Sequence, residues 1–177
     1  MSMQEIATAM ARVASVLKRK PEFGPHQDDP AVARWQSGTR VVASHANGTE
    51  MATDMPREIG GNGDQVTPGW LFRAGLASCA ATRIAMSAAA AGIALSNLEV
   101  RASSRSDTRG LLGMDGEDGS PVFAGPSDVQ LHVSISASGV TPERLRELVE
   151  QSNRCAPIAS AVQNAVQVAL HIDIDED

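Results

Sequence analysis

The stretch from Thr67 to Gly92 constrains the fold more than any other part of the chain. Thr67 is of a type that caps helix N-termini, and Pro68 suits the first helical position, where a missing amide hydrogen costs nothing. Gly92 is typical of the residue that follows a helix C-terminus. Between them nearly every face is apolar or small, as in buried helices. We therefore predict a central helix, about 36 Å long at 1.5 Å per residue.

Composition excludes several classes of function. The formal net charge is −6, and no long basic run gives the electrostatic footprint of a nucleic-acid or anionic membrane partner. With no tyrosine, three phenylalanines and two tryptophans, the chain also lacks platforms for base stacking. Arg73 and Arg83 in the central helix argue against a membrane span. We expect no nucleic-acid partner and no membrane partner.

Two cysteines, Cys79 and Cys155, are too few for a disulfide framework or a four-ligand zinc site. The four histidines are dispersed, and the N-terminus lacks the pattern of a secretory signal. These features favour a reducing, cytoplasmic compartment. We expect neither a metal nor a cofactor.

Hydrophobic periodicity orders the remaining elements. The pattern predicts, in chain order, a helix over residues 3–20, a connector to residue 30, a three-stranded meander over 31–54, the central helix, a strand over 95–104, an exposed hairpin or flap over 107–126, a strand over 128–138, helices starting at Thr141 and Pro157, a terminal strand over 166–174 and a solvated acidic tail. This order is typical of an α+β fold with mostly antiparallel sheet. We divide the chain into an N-terminal helix and connector, 1–30, and one domain, 31–177.

The residues alone leave two interpretations of each cysteine open. Free cysteine is often a small apolar core residue, and both positions suit that role. Cys79 is also a candidate thiolate nucleophile, because Arg83 lies one turn further along the same face of the helix. Cys155 is the second candidate thiolate, because it precedes the helix that begins at Pro157 and a helix N-terminus favours a negative charge. If the two sulfurs are adjacent, a sulfenic acid on Cys79 can be resolved by Cys155 into a disulfide.

The segment from Thr67 to Cys79 resembles the Pro-x-x-Leu-(Leu/Phe)-x-Ala-…-Ala-x-Cys segment of the OsmC/Ohr family, the osmotically inducible and organic hydroperoxide resistance proteins. Arg57-Glu-Ile-Gly-Gly61 resembles the preceding loop, Arg109–Asp115 is similar to a segment of some members, and Cys155-Ala-Pro-Ile is similar to the second cysteine region. The resemblance covers about residues 31–174. It implies an OsmC-like fold, with antiparallel sheets around a long central helix, in an intertwined homodimer.

The resemblance also implies thiol peroxidase chemistry. Cys79 would attack an organic hydroperoxide and become a sulfenate, Cys155 would close the disulfide, and an external dithiol reductant would restore both thiols. Family members activate the thiolate with an arginine from the N-terminal sheet, paired with a glutamate just before the cysteine helix. Arg40 is the candidate for this arginine, with Arg57 behind it.

Gly69 and Trp70 stand at the two positions where the family carries the glutamate. The missing acid favours a second interpretation, a non-catalytic dimeric OsmC-like protein that binds a small apolar ligand in the cleft between subunits. The retained cysteine pair favours the enzyme. The leading prediction is a cytoplasmic, cofactor-free thiol peroxidase that acts on organic hydroperoxides.

Overall fold

A computed structural model describes residues 2–164 and 166–174. Its elements are α1 (Met3–Arg19), β1 (Val32–Ser37), β2 (Arg40–Ser44), β3 (Glu50–Thr53), α2 (Pro68–Ala90), β4 (Leu95–Arg105), α3 (Thr108–Leu111), β5 (Ser127–Ala137), α4 (Pro142–Arg154) and α5 (Pro157–Gln163), with short 3₁₀ turns at Pro21–Phe23 and Arg57–Ile59. Two antiparallel sheets, β1-β2-β3 and β4-β5, confirm the predicted α+β class. Within the described ranges, none of the helices has the length and hydropathy needed to cross a bilayer.

The central helix α2 begins and ends where its sequence predicts. The hydroxyl of Thr67 accepts a hydrogen bond from the Trp70 N–H at 3.2 Å. At the other end, Gly92 has φ 68°, a left-handed conformation that glycine adopts without strain. The Ile93 N–H then donates to the Ala88 carbonyl at 2.9 Å, and the Ile93 side chain is buried. These contacts satisfy helix-terminal groups that would otherwise lack partners.

Two buried clusters fix α2 in the middle of the fold. The first lies between the C-terminal half of α2 and α4 and consists of Ala88, Ile93, Leu145 and Leu148. The second lies between the middle of α2 and the start of α5 and consists of Leu76, Ala156 and Ala159. Full burial of one leucine or isoleucine side chain contributes about 1.5–3 kcal/mol. The clusters therefore hold α4 and α5 against α2 without any covalent link.

The sheet formed by β4 and β5 covers another side of α2. Its register pairs Val100 with Val133 and Ala102 with Leu131, so that apolar side chains share one face of the sheet. Ala102 and Leu131 pack against the second cluster. Alternation with polar residues on the opposite face is typical of an antiparallel sheet that is covered on one side.

The N-terminal helix α1 confirms the helix expected over residues 3–20. It begins with a capping box, in which the Ser2 hydroxyl accepts from the Glu5 N–H at 3.2 Å and the Glu5 carboxylate accepts from the Ser2 N–H at 2.6 Å. The helix lies against α2, and Met3 packs on the first cluster. The division of the chain at residue 30 stays a prediction.

The sheet of β1, β2 and β3 confirms the predicted meander but has little tertiary support. It is tied to the loop before α2 by the Asp54 N–H, which donates to the Val66 carbonyl at 3.1 Å, and by a parallel bridge between Thr53 and Val66. In the described part of the chain, neither the helices nor the other sheet packs extensively against it. Trp35 of β1 is 71% exposed. Among the described residues, this sheet therefore lacks an extensive packing partner.

The excursion between β4 and β5 contains more structure than predicted. A bridge between Asp115 and Pro121 forms the expected exposed hairpin, but the helical turn α3 precedes it. Gly110 in that turn approaches the Phe123 carbonyl so closely that a Cβ would lie 2.4 Å from the oxygen. Four residues are too few to show helical periodicity. The close contact holds α3 against the end of the excursion.

The predicted terminal strand over 166–174 is wrong, since these residues form no strand in this chain. The alternating apolar side chains of this segment are 67–90% exposed: Val166, Val168, Leu170, Ile172 and Ile174. Alternation alone does not make a strand, because the backbone also needs a neighbouring strand with which to pair. Residues 175–177 of the predicted acidic tail lie outside the described residues.

Candidate functional site

Cys79 is a half-buried side chain on the face of α2 that meets α5. It packs against the second cluster, which includes Ala156. Ala156 directly follows Cys155 in the chain and is fully buried. The structure therefore brings the backbone beside the second cysteine into the surroundings of the first, and both thiols are free.

Cys155 lies at the corner between α4 and α5, where its side chain is exposed. Its N–H donates to the Ser152 carbonyl at 3.1 Å, and the fully buried Ser152 hydroxyl donates to the Leu148 carbonyl at 2.6 Å. Because the neighbouring Ala156 is also buried, the corner is anchored on both sides. The thiol of Cys155 is thus accessible from solvent on a backbone that is firmly held.

Arg83 does not make the contact with Cys79 that its spacing suggests. Its Nη1 donates to the Ser87 hydroxyl at 2.9 Å, one turn toward the C-terminus of α2. The hydrogen bond directs the guanidinium along the helix and away from position 79. An influence of Arg83 on the thiolate stays a prediction without a contact to support it.

Arg40, the candidate activating residue, lies at the start of β2 and is held by two carboxylates. Its Nη2 bonds Asp54 Oδ2 at 3.4 Å and makes a very short contact with Asp64 Oδ1. In the described part of the chain, no hydrogen bond or ion pair joins Arg40 to the surroundings of Cys79. Arg57, the second candidate, donates from Nε to the Asn62 carbonyl at 3.0 Å within its own loop.

Asp54 is a buried acid that the sequence patterns did not single out. Its carboxylate is 1% exposed and accepts from the Thr39 hydroxyl at 2.5 Å, from the Met55 N–H at 2.8 Å and from the Asn62 N–H at 3.1 Å, besides Arg40. These donors, the Thr39 hydroxyl first, lower the pKa of Asp54 to about 2 against the opposing effect of burial. A charged carboxylate therefore fixes both the loop after β3 and the guanidinium of Arg40. The one sequence clue was an acid placed directly after an alternating strand.

An apolar groove of about 620 Å³ lies between α2 and α5. Phe72 of α2, Val129 of β5 and Ile158 and Val162 of α5 are among its walls, and none of its lining residues is charged. Ile158 lies in the first turn of α5, three residues after Cys155. The groove can accept the apolar part of an organic molecule beside the cysteine region.

The family model described as OsmC-like protein matches residues 61–171, a segment that contains both cysteines. The fold is similar to the OsmC-like protein of Mycoplasma pneumoniae, with a TM-score of 0.65 and 16% identity over 80% of this chain and 91% of that chain. It is also similar to an organic hydroperoxide resistance protein of Elizabethkingia anophelis, solved with thiocyanate bound, with a TM-score of 0.59 and 25% identity over 80% of this chain and 91% of that chain. The organic hydroperoxide resistance protein OhrB of Bacillus subtilis gives a TM-score of 0.51 and 18% identity over 78% of this chain and 93% of that chain. No match was found among curated protein sequences. Because the family model covers more than half of the sequence, the chain belongs to the OsmC family.

Proposed function

We propose that this protein is a cysteine-based thiol peroxidase that reduces organic hydroperoxides in a reducing cytoplasm. The observation that carries the proposal is the packing of Cys79 against the cluster that contains Ala156, the residue next to Cys155. This arrangement suits a nucleophilic thiol and a resolving thiol on neighbouring helices. The similarity to the Elizabethkingia organic hydroperoxide resistance protein, at 25% identity, supports the same chemistry.

The reaction proceeds in three balanced steps. The Cys79 thiolate attacks one oxygen of the hydroperoxide, the O–O bond breaks, and the departing alkoxide takes a proton and leaves as an alcohol, while Cys79 becomes a sulfenic acid. The Cys155 thiolate then attacks the Cys79 sulfur, forming a disulfide and releasing water. An external dithiol supplies two electrons by thiol–disulfide exchange and restores both thiols.

The surroundings of the two cysteines suit these different tasks. The apolar groove lined by Phe72, Ile158 and Val162 would hold the organic group of the substrate. Cys79 is half-buried, which favours reaction with a bound substrate, whereas the exposed Cys155 can meet a dithiol reductant. Bulky apolar hydroperoxides are accordingly expected to react faster than hydrogen peroxide.

The proposal assigns thiolate activation to Arg40. Asp54 and Asp64 hold its guanidinium and would replace the glutamate that is missing after Pro68. Since Arg40 lies in a sheet that packs on little else in the described part of the chain, it would act on Cys79 of a second protomer. Arg40→Lys keeps the charge but loses the forked geometry, so the rate of the first step is expected to fall while the fold is retained.

The proposed functional unit is a homodimer. Within residues 2–164 and 166–174, neither the sheet of β1, β2 and β3 nor the apolar row of residues 166–174 has an extensive packing partner, and a second copy would bury them. Light scattering is expected to give twice 18.5 kDa. Leu170→Lys is expected to dissociate the dimer, whereas Gln167→Lys, on the opposite side of the alternation, is the matched control. A monomer for the wild-type protein would contradict the proposal.

Thiol titration with one equivalent of cumene hydroperoxide tests the peroxidase directly. The wild-type protein is expected to lose both thiols and to gain a disulfide between Cys79 and Cys155 that mass spectrometry can locate. Cys79→Ser should consume no peroxide, and Cys155→Ser should complete one turnover and retain a sulfenic acid that dimedone traps. Equal activity of the two variants, or two unchanged thiols in the wild-type protein, would refute the assignment.

A non-catalytic binding protein is the second candidate function. The missing glutamate at Gly69 and Trp70 and the uncharged groove between α2 and α5 favour it. Unchanged thiols under fresh peroxide, together with saturable binding of an apolar ligand that Phe72→Ala weakens, would select this function. Formation of the disulfide would exclude it.

A further inference from the structure

A small cavity of about 170 Å³ lies between α2, β5 and α4. Ala80 and Ile84 of α2 form one wall and are only 3% and 2% exposed. The other walls come from Leu131 and Val133 of β5 and from Val149 of α4. Neither cysteine lines this cavity, and it shares no wall residue with the apolar groove between α2 and α5. It is therefore separate from the space proposed for the peroxide.

Asn153 gives this apolar cavity a polar group. The residue lies in the last turn of α4 and lines the cavity. Its side-chain oxygen Oδ1 is buried and, among the residues that the structure describes, has no hydrogen-bond partner. The backbone holds the residue in place, since the Asn153 carbonyl accepts from the Ala156 N–H at 3.2 Å. A buried acceptor without a donor is unfavourable, so this oxygen favours a ligand that brings a donor.

A water molecule alone is a poor occupant of this cavity. A buried water generally needs about two to four polar partners, and the side chains here offer one buried acceptor. The Glu150 side chain also lines the cavity, but it is exposed and stays in contact with solvent. An apolar cavity of about 150 Å³ is large enough to hold benzene. The volume and the walls therefore suit a single apolar ring.

The charge around the cavity selects against ions. Among the described residues, no lysine or arginine lines it, and the carboxylate of Glu150 repels anions. A cation would exchange water for apolar walls and one neutral buried acceptor, which is unfavourable. The adjoining groove between β5 and α4, of about 630 Å³, shares Val149 and Glu150 with the cavity. This groove gives an uncharged molecule a path from solvent.

We propose that this cavity binds a small uncharged hydroxyl compound with one apolar ring, of about the size of phenol. The ring lies against Ala80, Ile84 and Val149, and the hydroxyl donates to Asn153 Oδ1. The apolar walls supply most of the affinity, because burial of the ring removes apolar surface from water. The hydrogen bond supplies the specificity, because a ring without a donor leaves the asparagine oxygen unpaired.

Isothermal titration of the reduced, full-length protein with phenol tests the proposal, with toluene as a ring of similar size without a donor. The ratio of the two dissociation constants reports the hydrogen bond. Asn153→Leu keeps a similar side-chain volume but removes the acceptor, and it is expected to shift this ratio by about three- to tenfold in favour of toluene. Gln151→Leu, at an exposed position of α4 outside the cavity wall, is the matched control and should leave the ratio unchanged. Cys79→Ser should bind phenol as the wild type does, so this proposal and the peroxidase proposal fail independently.

Two-dimensional NMR with the same ligand gives the position of the ring. Phenol is expected to shift the side-chain amide signals of Asn153 and the methyl signals of Ala80 and Ile84. This measurement decides the proposal even if Asn153→Leu does not fold. Absence of phenol binding, a ratio that Asn153→Leu leaves unchanged, or shifts confined to Phe72 and Ile158 in the other groove would overturn it.

Discussion

The substitution Gly61→Ala tests whether the loop after β3 is as tightly closed as the structure shows. The Gly61 N–H donates to the Pro56 carbonyl at 3.1 Å, and the following Asn62 N–H donates to the buried Asp54 carboxylate at 3.1 Å. A Cβ at position 61 would lie 1.7 Å from the Met55 carbonyl oxygen, 2.4 Å from its carbonyl carbon and 2.9 Å from Asp54 Oδ1. The Asp54 carboxylate binds Arg40, and the Met55 carbonyl accepts from the Gly63 N–H at 3.2 Å, so the clash falls on the loop beside Arg40.

The magnitude follows from which atoms would have to move. Real Cβ atoms essentially never approach closer than 3.0 Å, so the Met55 carbonyl must retreat by about 1.3 Å. A backbone carbonyl cannot rotate away as a long side chain can, and its movement disturbs the hydrogen bonds to Asp54. Overpacking of well-packed sites costs about 1–3 kcal/mol, and this case belongs at the upper end. For a chain of this length, about 3 kcal/mol corresponds to a loss of roughly 6–12 °C in Tm.

Thermal unfolding followed by circular dichroism at one fixed protein concentration measures this loss. Gly75→Ala is the matched control, because its Cβ would lie 3.7 Å from Ile158 Cδ1 in ordinary contact. Alanine in a helix interior is favoured over glycine by about 0.8–1 kcal/mol, so the control is expected to raise Tm. A Gly61→Ala protein that unfolds at the same temperature as the wild type would refute the geometry of the loop.

The remaining predictions concern Asp54 and Thr67. The pKa of Asp54 is lowered to about 2 from its ordinary 3.8, so the charged carboxylate stabilises the native state at any pH above that ordinary pKa. This contribution to the free energy of unfolding is lost as pH falls from about 4 toward 2. The difference in Tm between wild type and Asp54→Asn should shrink over that interval, and a difference independent of pH would contradict the assignment. Thr67→Ala removes the cap of the Trp70 N–H and should cost about 1 kcal/mol, whereas Thr8→Ala, within α1, should cost less than about half of that.

Local signals in the sequence were sufficient to predict most of the fold. Thr67, Pro68 and Gly92 mark the ends of α2 because capping chemistry depends on adjacent residues alone. The alternation of β5 is equally local, because it depends only on the order of apolar and polar residues along the strand. The helical turn α3 was not predicted. It is held by the contact between Gly110 and the Phe123 carbonyl, and these residues are too far apart in sequence for a local pattern to indicate the contact.

The candidate site was predictable only in part, because its relations are tertiary. The motif around Cys79 and the Cys155-Ala-Pro-Ile segment identified the two cysteines, but the packing of Cys79 on the cluster that includes Ala156 depends on how α5 meets α2. The partners of Arg40 come from two later segments, and nothing at residue 40 indicates that Asp54 and Asp64 would bind it.

The C-terminal segment shows how a correct pattern can give a wrong prediction. The alternation over 166–174 indicates that the apolar side of the segment favours burial. It does not indicate whether the residues that bury this side belong to the same chain or to another. In the single chain, Val168 and Leu170 are 90% and 80% exposed. A free sheet edge offers unpaired N–H and C=O groups that can accept a strand from another copy. If the proposed dimer forms in this way, the same segment would be irregular in one protomer and extended in the assembly, and the alternation would then reflect the proposed dimer interface and not the isolated chain.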